Sequence, residues 1–290
     1  MNKLLTLDQV AASIPDGATV AIGGSALSRK PMAMVRALVR AGVTNLRIVV
    51  DIGGPDVDLL IGAGAVREVL YAFVGFEVLG LAPHFRRARQ TGTVNFQEWT
   101  EYTVMAGLDA AIKRVPFLPT RSGLASSILD VNPAFRRIHD PFGGEDVVAV
   151  PRLEPDFALI HVNFADIAGN GVILGDSHVD ALCAKAAHTT FMSCDALVDS
   201  ETLHGYGRNV QILRVYTDGV VEVPWGAHPT SLAPAYRADV PALLEYLQAS
   251  GNLEHWRAYQ TRWVAVDHIG YLNLHGGQQM LQQRLAVLKP

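Results

Sequence analysis

Ala21-Ile22-Gly23-Gly24-Ser25-Ala26-Leu27-Ser28-Arg29-Lys30-Pro31 is an apolar run that stops on two glycines, turns, and hands over to a helical run beginning at Met32. A buried strand ending in glycine lets the main chain take φ > 0 and approach a ligand closely, because no Cβ stands in the way. Such a strand end suits negative charge. The stretch lacks the third glycine of the dinucleotide fingerprint and the Gly-Lys-Ser/Thr ending of a phosphate loop, so neither a nicotinamide oxidoreductase nor a nucleotide-hydrolysing loop is supported.

Upstream, Leu7 to Ile14 has helical spacing, Pro15-Asp16-Gly17 is a turn, and Ala18 to Ile22 reads as a buried strand. Downstream, Met32 to Gly42 repeats apolar residues every three to four positions and ends on a glycine suited to a C-cap. Leu46 to Val50 is a second buried strand, Gly53-Gly54-Pro55-Asp56 opens a short helix through Ile61, and Val69 to Val74 is a third strand. Strands that alternate with helices predict a parallel sheet. Helices are expected at Pro83 to Gln90 and Glu98 to Arg114, the latter stopped by Val115-Pro116-Phe117-Leu118-Pro119. Ser122 to Gly144 reads as an irregular excursion. Alternation resumes with the strand Phe157 to Asn163, the turn Asp166 to Gly171, the helix His178 to His188 and the strand Thr190 to Ser193. After Gly226-Ala227-His228-Pro229 the chain turns helical at Val240 to Gln248 and Leu253 to Val264. The expected fold is therefore α/β, an open, largely parallel sheet flanked by helices. Residues 1–290 form one unit, with a helical tail over about 235–290 packed on the body or on a partner.

Of the 290 residues, 49% are hydrophobic and 18% charged, enough apolar material for a large core. The net charge of −4 is dispersed along the chain, which argues against a nucleic-acid surface. No apolar stretch is long enough to span a bilayer, and Asp8 interrupts the N-terminus before any signal-type apolar region, so a cytoplasmic location is expected. Cys183 and Cys194 then read as reduced, buried thiols. The ten histidines form neither His-x-His nor His-Glu-x-x-His, and the cysteines lack a zinc spacing, so no metal is expected. Ser25, Ser122 and Ser126 are not in a nucleophile-elbow setting.

Several short segments together carry a resemblance. In order they are Gly23-Gly24-Ser25 through Arg29-Lys30-Pro31, Gly53-Gly54-Pro55-Asp56, Pro83-His84-Phe85-Arg86, Pro116-Phe117-Leu118-Pro119, Val148-Ala149-Val150-Pro151, Asp156 to Asn170 and Gly226-Ala227-His228-Pro229. To about Pro234 this series resembles the alpha-type subunit of class I coenzyme A transferases, in particular the glutaconate CoA-transferase branch. Leu118-Pro119-Thr120-Arg121-Ser122-Gly123-Leu124, Val131-Asn132-Pro133 and Glu154 to Asn170 further resemble a sub-branch that hydrolyses a ring carbon–carbon bond in a steroid-derived CoA thioester.

The resemblance implies covalent catalysis in which a glutamate carboxylate attacks an acyl-CoA thioester, and it places that glutamate on a beta-type partner in an α2β2 assembly. None of Glu68, Glu77, Glu145, Glu154, Glu201 or Glu222 is followed by the expected Asn-Gly. The substrate implied is a coenzyme A thioester, with no permanently bound cofactor. Gly23, Gly24 and Ser25 match the family's oxyanion site, where loop amides would stabilise charge on the thioester oxygen. Arg29 and Lys30 are candidates to steer a CoA phosphate or an acid substrate. The hydrolase resemblance implicates Glu101 as a base toward water, which requires it to face the cleft near the glycine loop. Alone among these readings, a helix N-terminal acid in solvent needs no ligand at Glu101. A non-catalytic ligand-binding module is the remaining functional class, since related α/β folds serve as sugar-phosphate sensors; it predicts an attached DNA-binding segment, which the sequence does not contain.

Overall fold

A computed structural model describes residues 2–285. Thr6 caps α1 (Leu7–Ala12) through a reciprocal bond pair with Gln9, and the chain then enters β1 (Thr19–Ile22). There follow α2 (Met32–Arg40), β2 (Leu46–Gly53), α3 (Pro55–Gly62) with proline in its first turn, β3 (Val66–Val74), and α4 (Pro83–Thr91), which ends on a left-handed Gly92. β4 (Asn95–Glu98) and α5 (Glu101–Ile112) complete this half. The expected helix over Glu98 to Arg114 is corrected here: Glu98 closes a strand, and Thr100 caps a helix that starts at Glu101.

The expected irregular excursion is also corrected. The segment Pro116 to Pro119, read as a stop, contributes to β5 (Phe117–Thr120), and the region beyond it holds α6 (Ile128–Val131), β6 (Arg136–His139) and β7 (Asp146–Pro151). These strands form a small antiparallel sheet in the order β5-β7-β6. The chain then returns through β8 (Phe157–Ala165), β9 (Gly171–Val172), α7 (Asp180–Ala186), β10 (Thr189–Leu197), α8 (Ser200–His204), β11 (Val210–Ile212) and β12 (Gly219–Glu222). Four further helices close it: α9 (Val240–Ala249), α10 (Leu253–Tyr259), α11 (His268–Leu274) and α12 (Gly277–Leu285).

The main sheet runs β12-β10-β8-β1-β2-β3-β4, all parallel, with β9 and β11 added antiparallel on the far end of β8. From β1 the chain winds outward through β2, β3 and β4, then crosses to β8, β10 and β12 on the other side. Strand order therefore reverses between β1 and β8, and parallel α/β sheets bind ligands at the carboxyl ends of strands beside such a switch. The two strands are unequal: β1 stops at Ile22, level with Leu159, whereas β8 continues to Ala165.

Alternate residues of each strand feed two cores. Val20, Ile22, Ile48 and Val50 share one core with α1 to α4 and with Leu243, Tyr246 and Trp256 of the tail. Ala21, Val49 and Leu70 share the other with Val104 and Leu108 of α5, Cys183 of α7, and Val148 and Val150 of the small sheet. Burying an aliphatic side chain of this size contributes about 1.5–3 kcal/mol, so each face holds the sheet from its own side. Helices α5 and α7 start where their preceding strands or loops end, so both present their N-termini at the carboxyl edge of the sheet. Asp51, two residues beyond Val49, lies on the same face as these helices.

Candidate active site at the carboxyl edge

The glycine loop occupies the switch point. Gly23 donates its N–H to Leu159 O at 2.9 Å, Gly24 to Asp180 Oδ1 at 2.6 Å, and Ser25 to Ser28 O at 2.9 Å. Gly24 has φ +71°, and a Cβ there would lie 2.6 Å from the carbonyl oxygens of Ser28 and Arg29, so glycine is required on both counts. Ala26 and Arg29 also have positive φ, at 45° and 53°, and the loop is fastened from outside by Ala26 N–H to Ile52 O and Arg29 N–H to Ser231 O. The three amides expected from the sequence to meet a thioester oxygen thus all donate inside the protein. Among the described residues, the Leu27 N–H and the hydroxyls of Ser25 and Ser28, all on half-buried residues, have no hydrogen-bond partner, and neither has the buried Nε of Arg29.

Arg29 and Lys30 differ from expectation in the same way. Arg29 is 2% exposed and pairs with the buried Asp180 carboxylate while also donating to Asp176 O. Lys30 is fully buried, 3.1 Å from Asp56 Oδ2, and its Nζ donates to the carbonyls of Gly23 and Gly24 at 3.2 and 3.3 Å. Neither cation faces a CoA phosphate: desolvated charges are held only where counter-ions and hydrogen bonds satisfy them, and here those lie beneath the loop. Asp180, and Asp56 of the Gly53-Gly54-Pro55-Asp56 segment, neither of them a candidate site residue from sequence, are the residues that fix the loop's shape. Asp180 binds Gly24 N–H and Arg29 together, and Asp56 also accepts from Gly54 N–H at 2.7 Å.

Segment 176–180 brings a second unforeseen pair to this edge. His178, at φ 44°, stands between the two anchors of Arg29, and its Nε2 lies 2.8 Å from Oδ2 of Asp51. The contact is an ion-pair approach: Oδ1 and Oδ2 of Asp51 and Nε2 of His178 have no hydrogen-bond partner among the described residues. Asp51 raises the His178 pKa above its ordinary value against the opposing effect of burial.

Glu101 is the first residue of α5 and is exposed. Thr100 caps the helix by accepting from Thr103 N–H at 3.1 Å, and its hydroxyl lies 3.2 Å from Ser122 Oγ, which ties the Thr120-Arg121-Ser122 segment to the same helix start. Glu101 follows β4, three strands from the β1 that carries the glycine loop, and α5 packs against α7, the helix whose Asp180 holds Gly24.

Elsewhere, His228, Asp239 and His275 place ligand-type atoms within 4.8 Å of one another. Both His228 nitrogens already have partners, Asp239 at 2.8 Å and the Tyr271 hydroxyl at 2.6 Å, and Arg284 pairs with the same carboxylate. Cationic neighbours oppose a metal ion, and the cluster reads as the polar centre of the tail. Cys183 and Cys194 are free and buried, and burial pushes both thiols up in pKa.

A family model described as coenzyme A transferase matches residues 5–222. The cholesterol ring-cleaving hydrolase IpdA subunit of Rhodococcus jostii is 35% identical over 274 residues, covering 91% of this chain and 92% of that protein. The A-type subunit of glutaconate CoA-transferase from Acidaminococcus fermentans is 31% identical over 305 residues, covering 98% and 95%. The crystal structure of glutaconate coenzyme A-transferase from the same organism superposes with a TM-score of 0.93 at 29% identity, covering 99% of this chain and 96% of that one. The chain belongs to the coenzyme A transferase family.

Proposed function

We propose that the chain is the alpha-type subunit of a two-component cytoplasmic enzyme that moves coenzyme A between carboxylic acids. The substrate is an acyl-CoA thioester, held at the carboxyl edge against a beta-type partner in an α2β2 assembly, with no permanently bound cofactor. The observation that carries this reading is the end-to-end correspondence with the A-type subunit of glutaconate CoA-transferase, in sequence and in fold. In this mechanism the partner's glutamate carboxylate adds to the thioester carbonyl and CoA leaves as a thiolate, giving an acyl-glutamyl anhydride; the thiolate then attacks the glutamyl carbonyl, which releases the acyl group as its free carboxylate and leaves an enzyme-bound CoA thioester. This chain supplies the floor: a rigid glycine loop, with the Ser25 hydroxyl and Leu27 N–H turned away from internal bonds. Among the described residues no helix is long and apolar enough to cross a membrane.

A second reading, hydrolysis of a ring carbon–carbon bond with Glu101 as base, draws on the 35% identity to the ring-cleaving hydrolase subunit. Glu101 also has no ion-pair or side-chain hydrogen-bond partner among the described residues, which leaves its carboxylate open to water.

One experiment separates the two. The chain and its partner are co-purified, incubated with an acyl-CoA and a free carboxylate, and examined by mass spectrometry for a covalent CoA adduct on the partner. Transfer reads as an adduct, activity only in the pair, and a Glu101→Gln variant within severalfold of wild type. Hydrolysis reads as no adduct and loss of activity in Glu101→Gln. Full transferase activity from this chain alone would sink the two-component reading.

A further inference from the structure

The glycine loop turns its three leading amides inward and its two cations into buried pairs, so the loop itself offers a substrate only neutral donors. One cationic group at the same edge is not consumed in this way. Asp51 is 1% exposed, at the carboxyl end of β2, next to the strand that carries the loop. A carboxylate buried so deeply needs a cation, and the only group of that kind within ion-pair distance among the described residues is the His178 imidazole. The His178 side chain is 11% exposed, and its Nδ1 has no protein partner among the described residues. Its backbone is held in the left-handed region by an Asx turn, with its N–H on Asp176 Oδ1 at 2.9 Å. A non-glycine residue in that region costs free energy and persists only where its surroundings over-determine it, which makes such residues markers of functional sites.

We propose that His178 is the cationic donor that meets the developing negative oxygen of the acyl-CoA substrate, with Asp51 as the positioning residue that holds its far nitrogen. This rests on the function proposed above. As the nucleophile adds to the thioester carbon, the carbonyl π pair moves onto oxygen, and Nδ1–H of His178 donates a hydrogen bond to it. No proton is transferred: the pair returns when the carbon–sulfur bond breaks, and CoA departs as the thiolate. The charged groups acting on the imidazole are Asp51 from β2 and Asp176 and Asp180 from its own segment; Arg29 and Lys30 of the loop are neutralised by partners of their own. The carboxylates favour the imidazolium.

The test uses the reconstituted two-chain enzyme. His178→Asn keeps a residue that tolerates positive φ; loss of a charged donor to the oxyanion predicts a fall in kcat of about 10²–10³-fold with KM little changed. Asp51→Asn should move the alkaline limb of the pH–rate profile to lower pH, a shift that a purely structural contact would not produce. Modification by diethyl pyrocarbonate, mapped by mass spectrometry with acetyl-CoA and with acetate as probes, should slow at His178 and not at the exposed His139 and His188. A His178→Asn enzyme with kcat within twofold of wild type, or a His178 that either probe leaves unprotected or that the reagent never reaches, would overturn the proposal. If the wild-type pair turns over acyl-CoA but His178 is unprotected, this assignment fails and the function stands. If acetate protects His178 in a pair that turns over no acyl-CoA, the function itself fails, the assignment to a thioester oxygen falls with it, and His178 marks only an anion site.

Discussion

Asp180→Ala is the most informative single change, because one carboxylate holds both the Gly24 N–H and the Arg29 guanidinium. Both partners are buried, so the variant leaves a guanidinium without its counter-ion and an amide without its acceptor. Breaking a buried pair from one side costs about 3–5 kcal/mol. The lost amide bond lies within that range rather than on top of it, since Arg29 keeps its contact with Asp176 O. For a chain of this size, with an unfolding entropy of about 0.6 kcal/mol/K, the loss corresponds to a drop in Tm of roughly 5–8 °C. Circular dichroism during urea and thermal unfolding of the isolated chain measures it. The double variant Arg29→Met, Asp180→Leu removes both charges and should recover at least about 2 kcal/mol relative to Asp180→Ala. Asp109→Ala serves as the control: its pair with Lys113 is an exposed i,i+4 contact, and its loss should cost less than about 0.5 kcal/mol. A drop under about 1 kcal/mol for Asp180→Ala, or a double variant no more stable than the single, would refute the assignment of Asp180 as the anchor of the loop.

Gly24→Ala should cost about 2–5 kcal/mol, from a left-handed backbone and the collision with the carbonyls of Ser28 and Arg29; a change within about 0.5 kcal/mol by chemical denaturation contradicts that geometry. Burial pushes Asp58 up to about 7, against the opposing bonds from Phe85 N–H and the Tyr246 hydroxyl. The folded state then binds a proton that the unfolded state releases near the ordinary value of 3.8, so stability falls as pH rises from about 4 to about 7. Asp58→Asn should flatten that slope, and an unchanged pH–stability curve would show that Asp58 does not carry it. Cys183 and Cys194, buried with raised pKa, should resist iodoacetamide in the native chain and react only on unfolding; alkylation at the rate of a free thiol rules out the described packing.

The parts of the fold legible in the sequence are those with local causes. Ile48 to Val50 and Phe157 to Ile160 are continuous apolar runs because parallel strands are covered on both faces, and Gly42 and Pro55 mark a helix end and a helix start by their own backbone preferences. β4 reads Asn-Phe-Gln-Glu and lies at the sheet's edge, where half-solvated strands lose the apolar signature. β5 contains Pro119 and pairs on one side only, an edge position that tolerates proline and disguises a strand as a breaker. The position of the glycine loop was legible and its hydrogen bonding was not. Gly24 and Asp180 are 156 residues apart, and Arg29 and Asp180 are 151 apart, so whether an amide points outward or inward is decided by partners that no local pattern announces. Asp51 and His178 were hidden for the same reason.

The family match ends at residue 222, but the contacts that support the glycine loop continue past it. The Tyr246 hydroxyl is bonded to Asp58 in the middle of α3, and the Trp256 indole N–H reaches Gly62 O at its end, at 2.7 and 2.8 Å. The first turn of the same helix carries Asp56, the counter-ion of Lys30 under the glycine loop. Anyone trimming or transplanting this scaffold should therefore carry the tail with it. A chain cut at residue 222 would lack the brace on α3 and would bare the ring faces of Phe76 and His84, and the slack would be felt at the far end of the helix, where the loop rests.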